Sequence, residues 1–346
     1  MSSSPIASSP FLRACRREPL ASPPVWLMRQ AGRYMPEYRE LRDRVPFLTL
    51  CKSPDLVAEV TVHAAKRLGV DAAIIFSDLL LPAEAFGLEL AYDRGEGPSL
   101  SPPLRGAADL ARLRKPDVAA DLGYVFEGMR RTRAALPPDL PLIGFAGAPF
   151  TLASYMIEGG GSSSYLHTKT FLYRDPEAWD ELMRRLVATT GEYLNAQIAA
   201  GAQAVQIFDS WVGCLSPGDY GRFVLPHVKA LVAAITPGVP VILFGTQTTA
   251  LLPQIGAAGA GVVGVDWRVD LLDAWDRLGE VAIMGNLDPV VLMAPRPEVV
   301  RRTRELLDRV GDRPGWIFNL GHGILPQTPV DNVLALVETV HAWRGR

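Results

Sequence analysis

Residues 72–78 read AAIIFSD: five apolar side chains in a row, then Ser77 and Asp78. A strand with one wet face alternates apolar and polar residues. An unbroken apolar run suits a strand covered on both faces, as in a parallel sheet. Working outward, similar runs recur at Val25–Met28, Leu142–Ala146, Ala204–Phe208, Val239–Phe244, Gly261–Val265, Val281–Met284 and Trp316–Asn319. Each ends in a polar or Gly-containing tip. Helical stretches with readable punctuation lie between them. Ser53-Pro54 opens one that should stop near Gly69, Asp175-Pro176 opens one running towards Gly201, and Thr328-Pro329 opens the last. The Ser, Asp or Thr oxygen caps the first turn, Pro tolerates the first helical position, and Gly leaves the helix left-handed. Repeated strand–helix units with eight strands predict an α/β fold, a single (β/α)8 TIM barrel with extra N-terminal helices and loops. A doubly wound open sheet is the competing architecture.

The chain has 346 residues, 48% hydrophobic, enough to fill a large core. Its net charge of -2 offers no global basic field, which argues against nucleic acid as a partner. Three cysteines, Cys15, Cys51 and Cys214, are sparse and odd in number, which suits reduced thiols in a cytoplasmic setting. No apolar run reaches the roughly 18 residues of a membrane span. The Ser/Pro-rich start, MSSSPIASSP, predicts a disordered tail over residues 1–20, followed by a barrel domain over 21–346. Arg13, Arg16 and Arg17 lend the tail a faint transit-peptide character.

In a barrel of this kind function gathers at the C-terminal ends of the strands, so the tips carry the information. Arg29 and Arg33 flank Gln30-Ala31-Gly32. They fit either an internal ion-pair network or a carboxylate or phosphate ligand, whose oxygens match the guanidinium fork. Gly32 allows a close backbone approach. Asp78 either caps the next helix or serves as an acceptor or base at an apolar strand end. Tyr155 is a core aromatic or a hydroxyl donor. The run Gly159 to Ser164 predicts a flexible loop, without the Gly-Lys-Thr/Ser ending of a phosphate-binding loop. Ser210 suits a helix cap better than a nucleophile, since no Gly-x-Ser-x-Gly surrounds it. His322, between Gly321 and Gly323, predicts a tight or ligand-facing backbone. Asp266 and Asp288 read as barrel-end hydrogen-bonders. The remaining histidines lack metal-ligand spacing.

Taken together, PVWLMRQAGRYMPEYRE, FSDLLLPAEAFG, GFAGAPFTLASYMIEGGGSS, FDSWVG, GNLDP and NLGHGILPQTP resemble the uroporphyrinogen decarboxylase family of haem and chlorophyll synthesis. The resemblance runs from about residue 20 to the C-terminus. It implies a (β/α)8 barrel, a homodimer, and no metal or organic cofactor. It also implies conversion of the acetate side chains of uroporphyrinogen III to methyls, giving coproporphyrinogen III and carbon dioxide. By the same resemblance Arg29 and Arg33 hold substrate carboxylates, and Arg29 is a candidate proton donor or relay. Gln30, Ala31 and Gly32 complete the segment wrapping the ligand, and Arg42 matches a further family arginine. Tyr155, Ser210 and His322 match positions that bond side-chain carboxylates, and Phe208 matches an apolar wall. Asp78 matches the central carboxylate, expected to bind pyrrole N–H groups and stabilise a cationic intermediate. One departure stands at the fifth strand tip, Phe244-Gly245-Thr246-Gln247-Thr248-Thr249, where family members often carry a basic residue and Gly.

Two other functions compete. Zinc-dependent corrinoid methyltransferases share the fold but need a His-x-Cys and a later Cys, and no Cys follows Cys214. A tetrapyrrole-binding barrel without turnover would need no intact Arg29, Arg33, Asp78, Tyr155 and His322.

Overall fold

The computed structural model describes residues 5–92 and 97–345. Nine strands are named in chain order. They are β1 Ala73–Ile74, β2 Glu89–Tyr92, β3 Pro98–Ser101, β4 Leu142–Gly147, β5 Ala204–Asp209, β6 Val241–Gly245, β7 Val262–Gly264, β8 Ala282–Met284 and β9 Trp316–Ile317. Seven of them form one parallel sheet in the order β1-β4-β5-β6-β7-β8-β9. The register runs through Ile74 opposite Ile143, Phe208 opposite Phe244 and Gly264 opposite Met284.

The eighth stave is the run expected at Val25–Met28, reduced here to a single bridge between Val25 and Phe318. It closes the ring. Phe318 N–H donates to Pro24 O at 2.9 Å on one side, and Asp71 N–H donates to Val25 O at 2.8 Å on the other. Side chains complete the seam. Asn319 Oδ1 accepts from Met28 N–H at 3.2 Å, and Gln30 Nε2 donates to Ala72 O at 3.2 Å. All eight apolar runs are therefore staves of one TIM barrel. The wall segments Trp26, Leu27, Ile143, Ile207, Ile242 and Ile283 are fully buried because helices cover the outside and side chains fill the bore.

The helices follow their caps. Pro54–Leu68 ends at Gly69 in the left-handed region, with φ 65°. Pro176–Ala199 starts on Asp175, whose carboxylate accepts from Ala178 N–H at 3.0 Å. The last helix, Val330–Ala342, begins a residue later than its Thr-Pro signal. Pro329 occupies the cap, and the Thr328 hydroxyl is buried without a partner.

Two regions depart from expectation. The predicted tail is ordered from residue 5 onward, while residues 1–4 lie outside the described residues. Ser9 caps a helix over Pro10–Cys15, which buries Phe11 and Leu12 and packs against β9. Ser-Pro is a cap signal as well as a mark of disorder, and two large apolar residues decide between them. In the stretch after β1, β2 and β3 form an antiparallel hairpin outside the barrel sheet, with Tyr92 opposite Pro98. Leu100 N–H donates to Gly159 O at 2.9 Å, so the hairpin holds the first residue of the Gly/Ser loop. Among the described residues no helix is long and apolar enough to cross a membrane.

Candidate active site

Asp78 follows β1 by four residues and sits half-buried at the barrel mouth. Its oxygens have separate partners. Leu80 N–H donates to Oδ1 at 2.8 Å, and the Tyr92 hydroxyl donates to Oδ2. The bond to Leu80 N–H closes a local turn and is not a helix cap, since the helix Leu81–Glu84 starts on Leu80 without a side-chain cap. Burial raises its pKa, and the Tyr92 and backbone hydrogen bonds oppose that rise because they favour the charged form.

Arg29 adopts φ 62°, a left-handed conformation rare for a side chain with a Cβ and worth roughly 1–3 kcal/mol of strain. Arg29 stays exposed, while the Gln30 side chain next to it is fully buried. Desolvation still holds the Arg29 pKa below its ordinary value, and the charge of Arg33 adds to this. Tyr155, Tyr92 and Asp78 act in the opposite sense, which places all of these groups within electrostatic reach of one guanidinium.

His322 lies on the other side of Arg29. Its Nδ1 accepts from Gly323 N–H at 2.7 Å, so its proton sits on Nε2. Burial first, then the Arg29 charge, pushes its pKa down to about 4. It is a neutral donor near neutral pH. The flanking glycines have a steric cause. A Cβ on Gly323 would stand 2.4 Å from Arg29 Cδ, and one on Gly321 would stand 2.4 Å from Trp267 N. The Arg29 stem therefore lies across the backbone at 323. The close approach expected at Gly32 is to Arg29 itself, whose carbonyl oxygen would be 2.9 Å from a Cβ there.

Tyr155, on the helix Pro149–Glu158, stacks on Trp211 with ring centroids 3.7 Å apart. Burial first, then the Asp78 charge, pushes its pKa up to about 12, so it stays a hydroxyl donor. Phe208 belongs to an aromatic wall. It meets Phe145 edge-on at 5.5 Å and Phe244 at 5.9 Å, and Phe244 reaches His322 at 6.2 Å. Arg33 is exposed, and Ala31 and Gly32 are half-buried at the same rim.

Two expected residues sit differently. The Gln30 side chain is fully buried and faces away from the cleft, with Leu27 N–H donating to its Oε1 at 3.1 Å. Only its backbone belongs to the Arg29–Arg33 segment. Ser210 lines a polar cavity of about 400 Å³ with Ser162, Lys169, Trp211, Cys214 and Gln247. It is linked to Tyr155 through the Trp211 ring. Arg42 donates to Val45 O and lies over the Phe47 ring at 5.5 Å from its centroid. Asp266 is buried and accepts from Gln247 N–H at 2.6 Å and from Arg268 Nη1 at 2.8 Å, while Asp288 caps its own turn at Val290 N–H.

Sequence reading missed Tyr92, the donor to Asp78 Oδ2, and Lys169, which lines the polar cavity. Tyr92 was hidden because it belongs to the hairpin and not to a barrel tip. The only available signal was the alternation of Glu89-Leu90-Ala91-Tyr92. Among the described residues no group of three or more His, Cys, Asp or Glu could hold a metal ion.

Comparison with known proteins bears on this constellation. The family model "Uroporphyrinogen decarboxylase (URO-D)" matches residues 7–343. A uroporphyrinogen decarboxylase of Koribacter versatilis is 54% identical over 342 residues, covering 98% of this chain and 97% of the relative. One of Roseiflexus sp. is 52% identical over 345 residues, covering 98% and 99%. Among solved structures, a methyltransferase from Methanosarcina mazei superposes with a TM-score of 0.78 at 20% identity, covering 96% of this chain and 98% of that one. At that identity the likeness speaks for the barrel alone.

Proposed function

The chain belongs to the uroporphyrinogen decarboxylase family, carboxy-lyases (EC 4.1.1.37) of tetrapyrrole biosynthesis, and from that premise we propose a residue-level course for its reaction. It removes the carboxyl groups of the four acetate side chains of uroporphyrinogen III and yields coproporphyrinogen III with carbon dioxide. What supports this reading is that Arg29 lies within electrostatic reach of Asp78, Tyr155, Arg33 and His322.

The chemistry follows from charge. A pyrrole bearing an acetate cannot release carbon dioxide until the electrons of the breaking C–C bond have somewhere to go. Protonation of the ring α-carbon makes an iminium-like cation that accepts them. The resulting exocyclic methylene takes a proton to become the methyl group, and the ring α-carbon returns its own proton. Asp78, ionised, is acceptor-only, so it receives pyrrole N–H donors and faces the cation with a fixed negative charge. Such preorganised stabilisation is worth roughly 3–4 kcal/mol per group in comparable sites. Arg29 and Arg33 grip carboxylates at the macrocycle's edge with forked hydrogen bonds. Arg29 guides the proton to the ring. Neutral His322 Nε2–H, the Tyr155 hydroxyl and Ser210 donate to further carboxylates, the backbone of Gln30, Ala31 and Gly32 completes the wrap, and Phe208 supplies the apolar wall. Residues 21–346 act as one catalytic domain, with the helix Pro10–Cys15 docked onto it. We also infer a cytoplasmic homodimer, in keeping with three free cysteines.

Anaerobic incubation with uroporphyrinogen III, then oxidation and chromatography, tests the reading. Seven-, six-, five- and four-carboxylate products are expected in succession. Their absence, with the macrocycle still bound, would make the protein a tetrapyrrole binder.

A further inference from the structure

The geometry points to Tyr92 as a positioning residue for Asp78, its hydroxyl fixing the carboxylate's orientation and holding it in the ionised form. This inference rests on the role proposed above for Asp78. It adds a residue that lies outside the barrel and outside every strand tip.

The contact is built rather than incidental. Tyr92 closes β2, where it pairs with Pro98. Its ring meets the edge of Phe47 at 4.6 Å, and Phe47 in turn meets Phe76 at 6.1 Å, two residues before Asp78. Arg42 covers the Phe47 ring at 5.5 Å. The hairpin is anchored at its far strand, where Leu100 N–H donates to Gly159 O at 2.9 Å. The phenol is thus aimed at Asp78 Oδ2 by its contact with Phe47 and by the strand pairing that holds its backbone.

Acceptor counting shows what that does. A carboxylate offers about four acceptor directions. Tyr92 takes one on Oδ2, and Leu80 N–H takes one on Oδ1. The Leu79 backbone bears on the carboxylate as well, which leaves at least one direction for a pyrrole N–H donor. Two fixed donors on opposite oxygens also lock rotation about the carboxyl bond.

The charge state follows the same logic. The ionisable groups facing Asp78 are Arg29, Glu84, Cys51 and the hydroxyls of Tyr92, Tyr124, Tyr155 and Tyr193. Only Arg29 carries positive charge, and Glu84 works against ionisation of Asp78. Tyr92 cannot compete for the proton, because burial and the Asp78 charge drive its own pKa far up. It acts purely as a donor to the anion, and such a bond favours the charged form.

The test is the pH dependence of decarboxylation in Tyr92→Phe, which keeps the ring and its contact with Phe47. Losing the donor raises the pKa of Asp78. The acid limb of kcat/KM should therefore move to higher pH by about one unit or more. On the plateau kcat should fall roughly tenfold with KM little changed. The double variant Asp78→Asn, Tyr92→Phe should lose no more than Asp78→Asn alone, since the hydroxyl acts through the carboxylate. A purely structural role would lower the melting temperature without shifting the limb. An unmoved limb and unchanged kcat in Tyr92→Phe, with Asp78→Asn inactive, would overturn the role of Tyr92 and leave that of Asp78 standing. An active Asp78→Asn would overturn the underlying reading instead.

Discussion

Two aspartates bracket the same stave and do opposite work. Asp71 precedes β1 at the bottom of the barrel, and Asp78 follows it at the top. Asp71 Oδ2 accepts from Val25 N–H at 2.7 Å and meets His341 Nε2 at 2.9 Å. It ties the first stave and the last helix to β1, and its favourable partners include an imidazole. Asp78 has only neutral donors, a hydroxyl and backbone N–H groups, and stands beyond the C-terminal end of its stave. A carboxylate whose bonds join distant parts of its own fold is structural. One whose partners orient it without consuming it is available to a ligand. The barrel sorts the two by end, as its architecture leads one to expect.

The comparison can be broken most sharply by exchanging the two effects. Asp78→Asn should cut decarboxylation at least a hundredfold while thermal melting stays put, since the amide keeps the shape and loses the charge. A melting shift with retained turnover would put Asp78 in the class of Asp71. Asp71→Ala should do the reverse. It leaves the fully buried Val25 with an unpaired N–H, at a cost of about 1–3 kcal/mol in urea unfolding, with kcat preserved in the folded protein. Third in size is Arg33→Lys, where a point ammonium replaces the fork at the cleft rim. Its KM for uroporphyrinogen should rise about tenfold with kcat within a factor of two or three, measured by steady-state kinetics.

The smallest effect belongs to His341. Asp71 raises its pKa above the ordinary histidine value. A raised folded-state pKa contributes stability that is fully present below the unfolded value and is lost as pH rises through the folded one. The pair is partly exposed, so the contribution is about 0.5–1 kcal/mol after solvent screening. Unfolding curves from pH 5 to 9 should show that loss in the wild type and not in His341→Gln. A flat difference between the two across this range would remove the charge from the seam.

What the sequence made legible follows the same division. Burial on both faces leaves unbroken apolar runs, so every stave could be located, including Val25–Met28, which holds its place by one bridge. Arg29, Asp78 and His322 stand out in the sequence as candidates because a barrel puts strand tips on one rim. The burial of Gln30 does not, because the turn that separates it from Arg29 depends on a positive φ at a residue whose identity does not announce it. Tyr92 escaped for another reason. The hairpin is an insertion between β1 and β4, and nothing in its own alternation says which barrel residue it will cover. The helix Pro10–Cys15 hides in a Ser/Pro-rich composition typical of tails, and only Phe11 and Leu12, buried in a helix that packs against β9, mark it as structure.

The most direct measurement is a structure with coproporphyrinogen bound under reducing conditions. The account expects pyrrole nitrogens within hydrogen-bond distance of both Asp78 oxygens, with Tyr92 still donating to Oδ2 and edge carboxylates on Arg29 and Arg33. A macrocycle seated with its nitrogens away from Asp78, or gripped by other residues, would contradict it.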